Sequence, residues 1–330
     1  MIHALIIFFS CFKADFSQKD SLRAFQLNGK AQGTSYHCTY YAAIPKVSQK
    51  EIDVLLTAID SSLSLYQSHS LINQFNQHPR GILMDNHMKQ VVNKAIDVAA
   101  LTKGSFDITC KPIIDLWKTH INAHLQPSKK AISNIQRLVG FQHILVKGDS
   151  LVKDDPAVQI DCDGIAQGYS VDQMAAIFKR HGINDFLVEL GGEIYASGHP
   201  PGKPSWNIAV YTHSEKSMDE IDPTIQLSNA AVTTSGSMSK FMQSGRKIYS
   251  HIVHPLKGKP IKQKIIAVTV IANDAITADA LDNALMVMGV QPALHWLSNH
   301  PIAGANIYYR KGRKKRMQVS NEIFTSYQLH

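Results

Sequence analysis

Ile265-Ile266-Ala267-Val268-Thr269-Val270-Ile271 is followed, after a short polar break, by Thr277-Ala278-Asp279-Ala280-Leu281-Asp282-Asn283-Ala284-Leu285-Met286-Val287-Met288-Gly289. The first run is strand-like. The second places Leu281, Ala284, Leu285 and Met288 at helical spacing and stops on a glycine. Similar helical stripes occur at 50–65 (Ile52, Leu55, Leu56, Ile59, Leu63), at 88–99 (Met88, Val91, Val92, Ala95, Ala99), after Ser128 (Ile132, Ile135, Leu138) and at 171–178 (Val171, Met174, Ala175, Phe178). Strand-like runs lie at 35–42, 143–146, 158–161, 186–190, 206–212, 247–253, 265–271 and 305–309. Helices and strands cluster instead of alternating strictly. This predicts an α+β fold, mixed sheets covered by helices, and argues against a doubly wound sheet.

The chain has 330 residues, 44% of them hydrophobic and 18% charged, which supplies a sizeable core and excludes global disorder. No apolar run approaches eighteen residues, so a helical multi-span membrane protein is excluded. No repeat of 20–50 residues stands out, which argues against a solenoid or propeller. Cys11, Cys38, Cys110 and Cys162 form no CxxC pair, so neither a disulfide scaffold nor a thiolate zinc site is expected.

The formal charge is +8, and six basic groups sit in Arg310-Lys311-Gly312-Arg313-Lys314-Lys315-Arg316. Flanking apolar stretches make this a solvated hairpin tip. No nucleic-acid-binding signature accompanies it, so no nucleic-acid partner is expected. At the N-terminus, a short apolar run (4–9) ends at Ser10-Cys11. It is similar to a bacterial lipoprotein cleavage site, so residues 1–20 are expected to be a leader and linker and 21–330 one unit. Export with lipidation of Cys11, hence a periplasmic protein anchored to the inner membrane, is the expectation; a buried first strand is the alternative.

Five segments are rich in Gly, Asp, Ser and Thr between apolar runs: 103–109, 161–169, 189–194, 233–236 with 251–255, and 277–284. On a helix, Asp279, Asp282 and Asn283 stand at i, i+3 and i+4, on one face. Two carboxylates and an amide oxygen there repel unless a cation or water network lies between them, and oxygen-only ligands suit Mg²⁺ or Ca²⁺. The alternative is a solvated acidic face near a helix start. Gly164 to Tyr169 opens a helix with small residues, but the spacing is not GxGxxG, and GxxxxGK[ST] and GxSxG are absent. His120 and His124 form HxxxH without the glutamate of a zincin and read as surface histidines.

In this order the segments resemble the ApbE family, the FAD:protein FMN transferases. The likeness runs from about Gly33 to the end. It is carried by Gly33-Thr34, by Tyr66, Ser70, Phe75 and Asn76, by Gly104 to Thr109 with Pro112 and Trp117, and by Gly191-Gly192. Thr234-Ser235-Gly236, His251-Ile252-Val253 with Pro255, Gly258 and Pro260, and Asp279-Ala280-Leu281 complete it. The resemblance implies an ApbE-like, T-fold-related single compact unit that binds FAD and Mg²⁺. Such an enzyme splits the pyrophosphate and moves FMN onto a Ser or Thr hydroxyl of a flavin-carrying subunit of a membrane redox complex, releasing AMP. The alternatives are an FAD pyrophosphatase and a non-catalytic FAD-binding lipoprotein.

Carried over by the resemblance, the metal set is Asp279, Asp282 and Asn283 with the Gly164 carbonyl. Flavin and nucleotide contacts fall at Gln32, Tyr66, Ser105, Phe106, Asp107, Asp161, Gln167 and Val253, and His251 handles the proton. The sequence departs from the family pattern at four positions. His254 stands where an aspartate is usual, Lys257 and Asn283 where a threonine is usual, and Gln32 where a methionine is usual.

Overall fold

In the computed structural model the described residues are 22–210, 224–236, 241–244, 247–261, 264–312 and 315–329. The leader and Cys11 lie outside them. Eight strands form the main sheet: β1 (Arg23–Ala31), β2 (Thr34–Ala42), β6 (Phe186–Leu190), β7 (Glu193–Ser197), β10 (Ala230–Gly236), β15 (Ile265–Ala272), β16 (Gly304–Lys311) and β17 (Lys315–Ser320). They are ordered β1-β2-β6-β7-β10-β15-β16-β17, and each pairing is antiparallel. Smaller pairings join β3 (Gly81–Leu83), β5 (Ser150–Lys153) and β4 (Ile144–Lys147). Three further pairs are β8 (Trp206–Ala209) with β9 (Thr224–Leu227), β11 (Phe241–Ser244) with β12 (Lys247–Ser250), and β13 (Val253–His254) with β14 (Lys259–Pro260).

Six helices precede the last third of the chain: α1 (Gln49–Leu63), α2 (Leu71–Gln77), α3 (Asn86–Leu101), α4 (Lys111–Asn122), α5 (Lys129–Gln136) and α6 (Ala166–Arg180). Three follow: α7 (Ala275–Met288), α8 (Val290–Asn299) and α9 (Glu322–Thr325). Side-chain caps start most of them, as short polar side chains do where the first N–H groups lack partners. Ser48, Ser70, Asp85, Ser128, Asp274 and Asn321 each accept a first-turn N–H. The expected Ser128 cap is present, at 3.1 Å from the Ala131 nitrogen.

Period-two alternation on β2 sends Tyr36, Cys38 and Tyr40 to one face, where they pack with α1 and α6. Phe178 of α6 stacks on Phe186 of β6 with centroids 5.1 Å apart. The opposite face of the sheet is covered by Trp206, Ile208, Ile225, Leu227 and Phe324. All eight residues of β15 are buried, as expected of a strand covered on both faces. Behind it α7 is buried nearly all round, with Leu281 and Leu285 fully enclosed. Truncating either to alanine should cost about 2–5 kcal/mol. No helix of the described residues is long and apolar enough to cross a membrane.

Residues 158–161 form no strand. Side chains take the ladder's place. Asn76 donates to the Ile160 carbonyl at 2.9 Å and accepts from its nitrogen at 2.7 Å, and the Lys153 ammonium donates to the Val158 carbonyl at 2.8 Å. At the expected basic hairpin, β16 and β17 pair as far as Lys311 and Lys315, with Arg310 and Lys311 exposed. Arg313 and Lys314 lie outside the described residues.

Candidate functional site

Helices α6 and α7 lie close enough that a side chain on Gly168 would collide: a Cβ there would sit 2.3 Å from the Ala275 carbonyl oxygen and 2.8 Å from the Asp279 Cβ. Glycine is required by that approach. It lets each helix cap the other. Asp279 of α7 accepts the Gly168 N–H at 2.9 Å, supplying the acceptor that Ile165, at the cap position of α6, cannot offer. Asp172 of α6 in turn accepts the N–H groups of Ala275 and Ile276 at 2.8 and 2.9 Å. Asp274 takes the next donor of α7, Thr277 N–H, at 2.8 Å. Burial holds the Asp172 carboxyl at about 6, well above the ordinary range, although both N–H bonds pull it down.

Asp279 and Asp282 are 5% and 1% exposed. A solvated acidic face is thereby excluded. The trio stands inside α7, beyond its first turn, because the helix begins at Ala275, earlier than its apolar stripe marks. Asp282 Oδ2 accepts the Thr233 hydroxyl at 2.8 Å, and Ser235 bonds the same carboxyl. Thr233 and Ser235 share one face of β10, while Thr234 between them bonds Thr269 across the sheet at 2.9 Å. Burial, then the nearby Asp279 charge and Glu193, push the Asp282 carboxyl well above its usual range against these hydroxyls.

Asn283 ties the cluster together. Its Nδ2 donates to the Asp279 carbonyl at 3.0 Å, to Asp282 Oδ1 at 3.1 Å and to the Gly164 carbonyl at 3.4 Å. The sequence reading pointed the amide oxygen into this set; the structure turns the nitrogen there. Asp282 Oδ1 and the Gly164 carbonyl converge on this polar hydrogen donor as they would on a cation; the Asp279 oxygen it meets is the main-chain carbonyl, while the Asp279 carboxylate is held beside them by the Gly168 N–H. A 180° rotation of the amide exchanges nitrogen for oxygen at that position and completes an all-oxygen donor set suited to a hard divalent ion. The residues therefore fit such an ion, although no group of three His, Cys, Asp or Glu with metal-binding placement occurs among the described residues.

Of the other expected site residues, Phe106 reaches the Gly164 turn, and Gln167 and Gln32 lie on or against α6. The Phe106 ring lies 3.6 Å from where a Gly164 Cβ would be. Gln167 Nε2 and Glu193 Oε2 flank the corresponding position of Gly191, whose φ is +66°. Gln32, at φ +53°, donates through Nε2 to Ser170 on α6 at 2.8 Å, and its Oε1 is buried without a partner. Asp161 is held at about 6 by burial and by Asp163, and its nitrogen donates to the Ile108 carbonyl at 2.7 Å. Ser105 is half-buried beside Phe106.

Asp107 has a structural task. Its two oxygens accept the Thr109 N–H (2.8 Å) and hydroxyl (2.6 Å) and the Phe141 N–H (2.7 Å). Tyr66 stands 89% exposed on the loop after α1. His251 is half-buried in the bend before β13, and Val253 is 4% exposed, packed with Ile113, Trp117 and Ile132, so its backbone alone is available to a ligand. His254 is pushed down to about 4 by burial and by Lys257, and its Nδ1 is buried without a partner. Cys38 and Cys162 are buried, and burial raises the Cys110 and Cys162 thiols, so none is an activated nucleophile. Thr233, Ser235, Glu193 and Asp172 join the site without having been singled out as site residues from sequence. The alternation of Thr233 and Ser235 was the available signal for two of them.

Comparison with known proteins places these features in a group. A sequence model described as the ApbE family matches residues 32–305. The chain is 33% identical over 273 residues to the FAD:protein FMN transferase of Vibrio cholerae, covering 80% of this chain and 81% of that protein. It is 30% identical over 284 residues to the protein of the same name in Escherichia coli, covering 81% and 79%. Among solved structures it is similar to the flavin transferase ApbE of Vibrio cholerae, with TM-score 0.81 and 28% identity, covering 93% of this chain and 99% of that one. The apo flavinyl transferase ApbE of Pseudomonas stutzeri is similar at TM-score 0.82 and 29% identity, covering 93% and 97%.

Proposed function

This chain belongs to the ApbE family, and from that premise we propose that it transfers the FMN moiety of FAD to a Ser or Thr hydroxyl of an acceptor protein, releasing AMP. In this transfer, the acceptor oxygen bonds to the FMN phosphorus. The phosphoanhydride bond breaks, AMP departs with the bridging oxygen, and the hydroxyl proton passes to a base. His251 is the candidate for that base, since an unassisted hydroxyl is a poor nucleophile at neutral pH.

The observation that carries this reading is the buried Asp279–Asp282 pair joined to Gly164 through Asn283. Asp279, Asp282, Asn283 and the Gly164 carbonyl would hold Mg²⁺. When bound, that ion would offset phosphoryl charge during in-line displacement. The reciprocal caps fix the carboxylates and the Gly164 turn relative to one another. Thr233 and Ser235 hold Asp282 in place, and Asp107 fastens the loop carrying Ser105 and Phe106. Gln167 and Asp161 supply polar contacts for the dinucleotide, and Gln32 Oε1 is an acceptor left open for it. Tyr66 offers an exposed aromatic face for a flavin ring.

The acceptor class is a flavin-carrying subunit of a membrane redox complex. An exported protein lipidated at Cys11, held at the inner membrane on its periplasmic side, suits such a partner. Incubation with FAD, Mg²⁺ and a threonine-bearing acceptor tests the reading: covalently fluorescent acceptor with AMP is expected. Free FMN and AMP alone would instead show a pyrophosphatase, and intact FAD a flavin-binding protein without turnover.

A further inference from the structure

A cavity of about 410 Å³ opens between α5 and the β13–β14 hairpin. Lys129, Arg137, Lys257 and Lys259 ring it, Ile132 and Gln136 line it between them, and no acidic side chain lines it. All four cations are exposed, and none makes an ion pair among the described residues. Four like charges around one recess repel, and the fold supplies no counter-charge. The recess also flanks the candidate site. Lys257 follows Leu256, whose Cδ2 lies 3.2 Å from the Cβ position of Gly104, the glycine preceding Ser105-Phe106, and Phe106 in turn meets Gly164.

We propose that this basic recess docks an acidic segment of the acceptor protein, placing the neighbouring hydroxyl toward the site. The inference rests on the transferase reading, because only an enzyme acting on a protein needs such a surface there. The chemistry favours carboxylates on a peptide. Three ammonium groups on flexible stems and a single guanidinium around an apolar residue give charge steering and a small hydrophobic contact. They lack the bidentate forks and converging N–H groups of a phosphate site.

The test uses a fluorescein-labelled peptide of glutamates around one threonine, and the same peptide with glutamines, measured by anisotropy with the full chain. Binding of the glutamate peptide is expected to weaken with salt, and to weaken about tenfold in Lys129→Glu/Lys259→Glu. Lys50→Glu/Lys203→Glu, which changes net charge equally at exposed positions elsewhere, should leave it unchanged. Lys129→Ala/Arg137→Ala, which adds no acid, should weaken it in the same direction. Equal losses in the two reversed pairs, equal binding of both peptides, or no binding would overturn the proposal. So would selective binding of phosphatidylglycerol vesicles or inorganic phosphate through these residues. FMN transfer from FAD is followed separately in each protein. If docking alone is wrong, transfer persists without preference for the acidic peptide. If the transferase reading is wrong, no peptide is flavinylated even where the acidic one binds.

Discussion

Asp172 and Asp279 cap each other's helices: Asp172 on α6 receives the first N–H groups of α7, and Asp279 on α7 receives the Gly168 N–H of α6. Each carboxylate faces the positive end of the opposite helix, where negative charge is favourable. The same contacts set the distance between the Gly164 turn and the acidic trio. A structural device and the candidate metal site therefore share atoms.

Asp172 gives a pH signature. Its folded value of about 6 lies above the ordinary 3.8, so between these values the folded chain keeps a proton that the unfolded chain has lost. Stability should fall as pH rises through this window and level off above it, by on the order of 2–3 kcal/mol from this group. Asp161, held at about 6, acts in the same sense. Urea unfolding at pH 4.5 and pH 7 should show a smaller difference in Asp172→Asn than in the parent; an identical difference would remove the assignment.

Gly168→Ala should force α6 and α7 apart, since the added methyl would meet the Ala275 carbonyl. A loss of about 1–3 kcal/mol is expected. The loss should be accompanied by weaker divalent-ion binding in calorimetry. Unchanged stability and ion affinity together would show that the helices do not need this approach.

Thr233→Val removes the donor to Asp282 Oδ2 while keeping the shape of the side chain. Without a bound ion the variant should lose about 1–3 kcal/mol. Saturating Mg²⁺ should recover part of that loss, because an ion bound to the same carboxylate stabilises the folded state. Thermal unfolding with and without Mg²⁺ reads both effects, and the absence of any Mg²⁺ effect in the parent protein would contradict the site.

Asp107→Ala should weaken FAD binding indirectly. With Thr109 and Phe141 released, the loop carrying Ser105 and Phe106 loses its fastening. A several-fold rise in the FAD dissociation constant is expected, with lower stability. A large loss of stability with unchanged FAD affinity would separate this loop from the flavin.

The helical spacing of Asp279, Asp282 and Asn283 made their common face legible, and the apolar stripes made α1, α3, α5, α6 and α7 legible. The burial of that face was not. It depends on β15, which leads directly into α7, and on β10 and α6, which reach it from distant parts of the chain. Asp172 looked like one more polar residue of an amphipathic helix because its partners, Ala275 and Ile276, are a hundred residues away. Residues 158–161 read as a strand because the alternation of Val158 and Ile160 with Gln159 and Asp161 carries no mark of whether strands or side chains such as Asn76 and Lys153 will satisfy the backbone. β1 is absent from the expected strands although Phe25, Leu27 and Ala31 alternate with Gln26, Asn28 and Lys30; as an edge strand it buries that face only partly, so its apolar signal is weaker than that of its partner β2.

Electron spin-echo spectroscopy with Mn²⁺ in place of Mg²⁺ and FAD bound reports directly whether an ion at this acidic turn touches the dinucleotide. Phosphorus couplings from the FAD diphosphate should appear in the parent protein and vanish in Asp279→Ala. Tightly bound Mn²⁺ showing no phosphorus coupling, or coupling that survives in Asp279→Ala, would place the flavin's phosphates elsewhere.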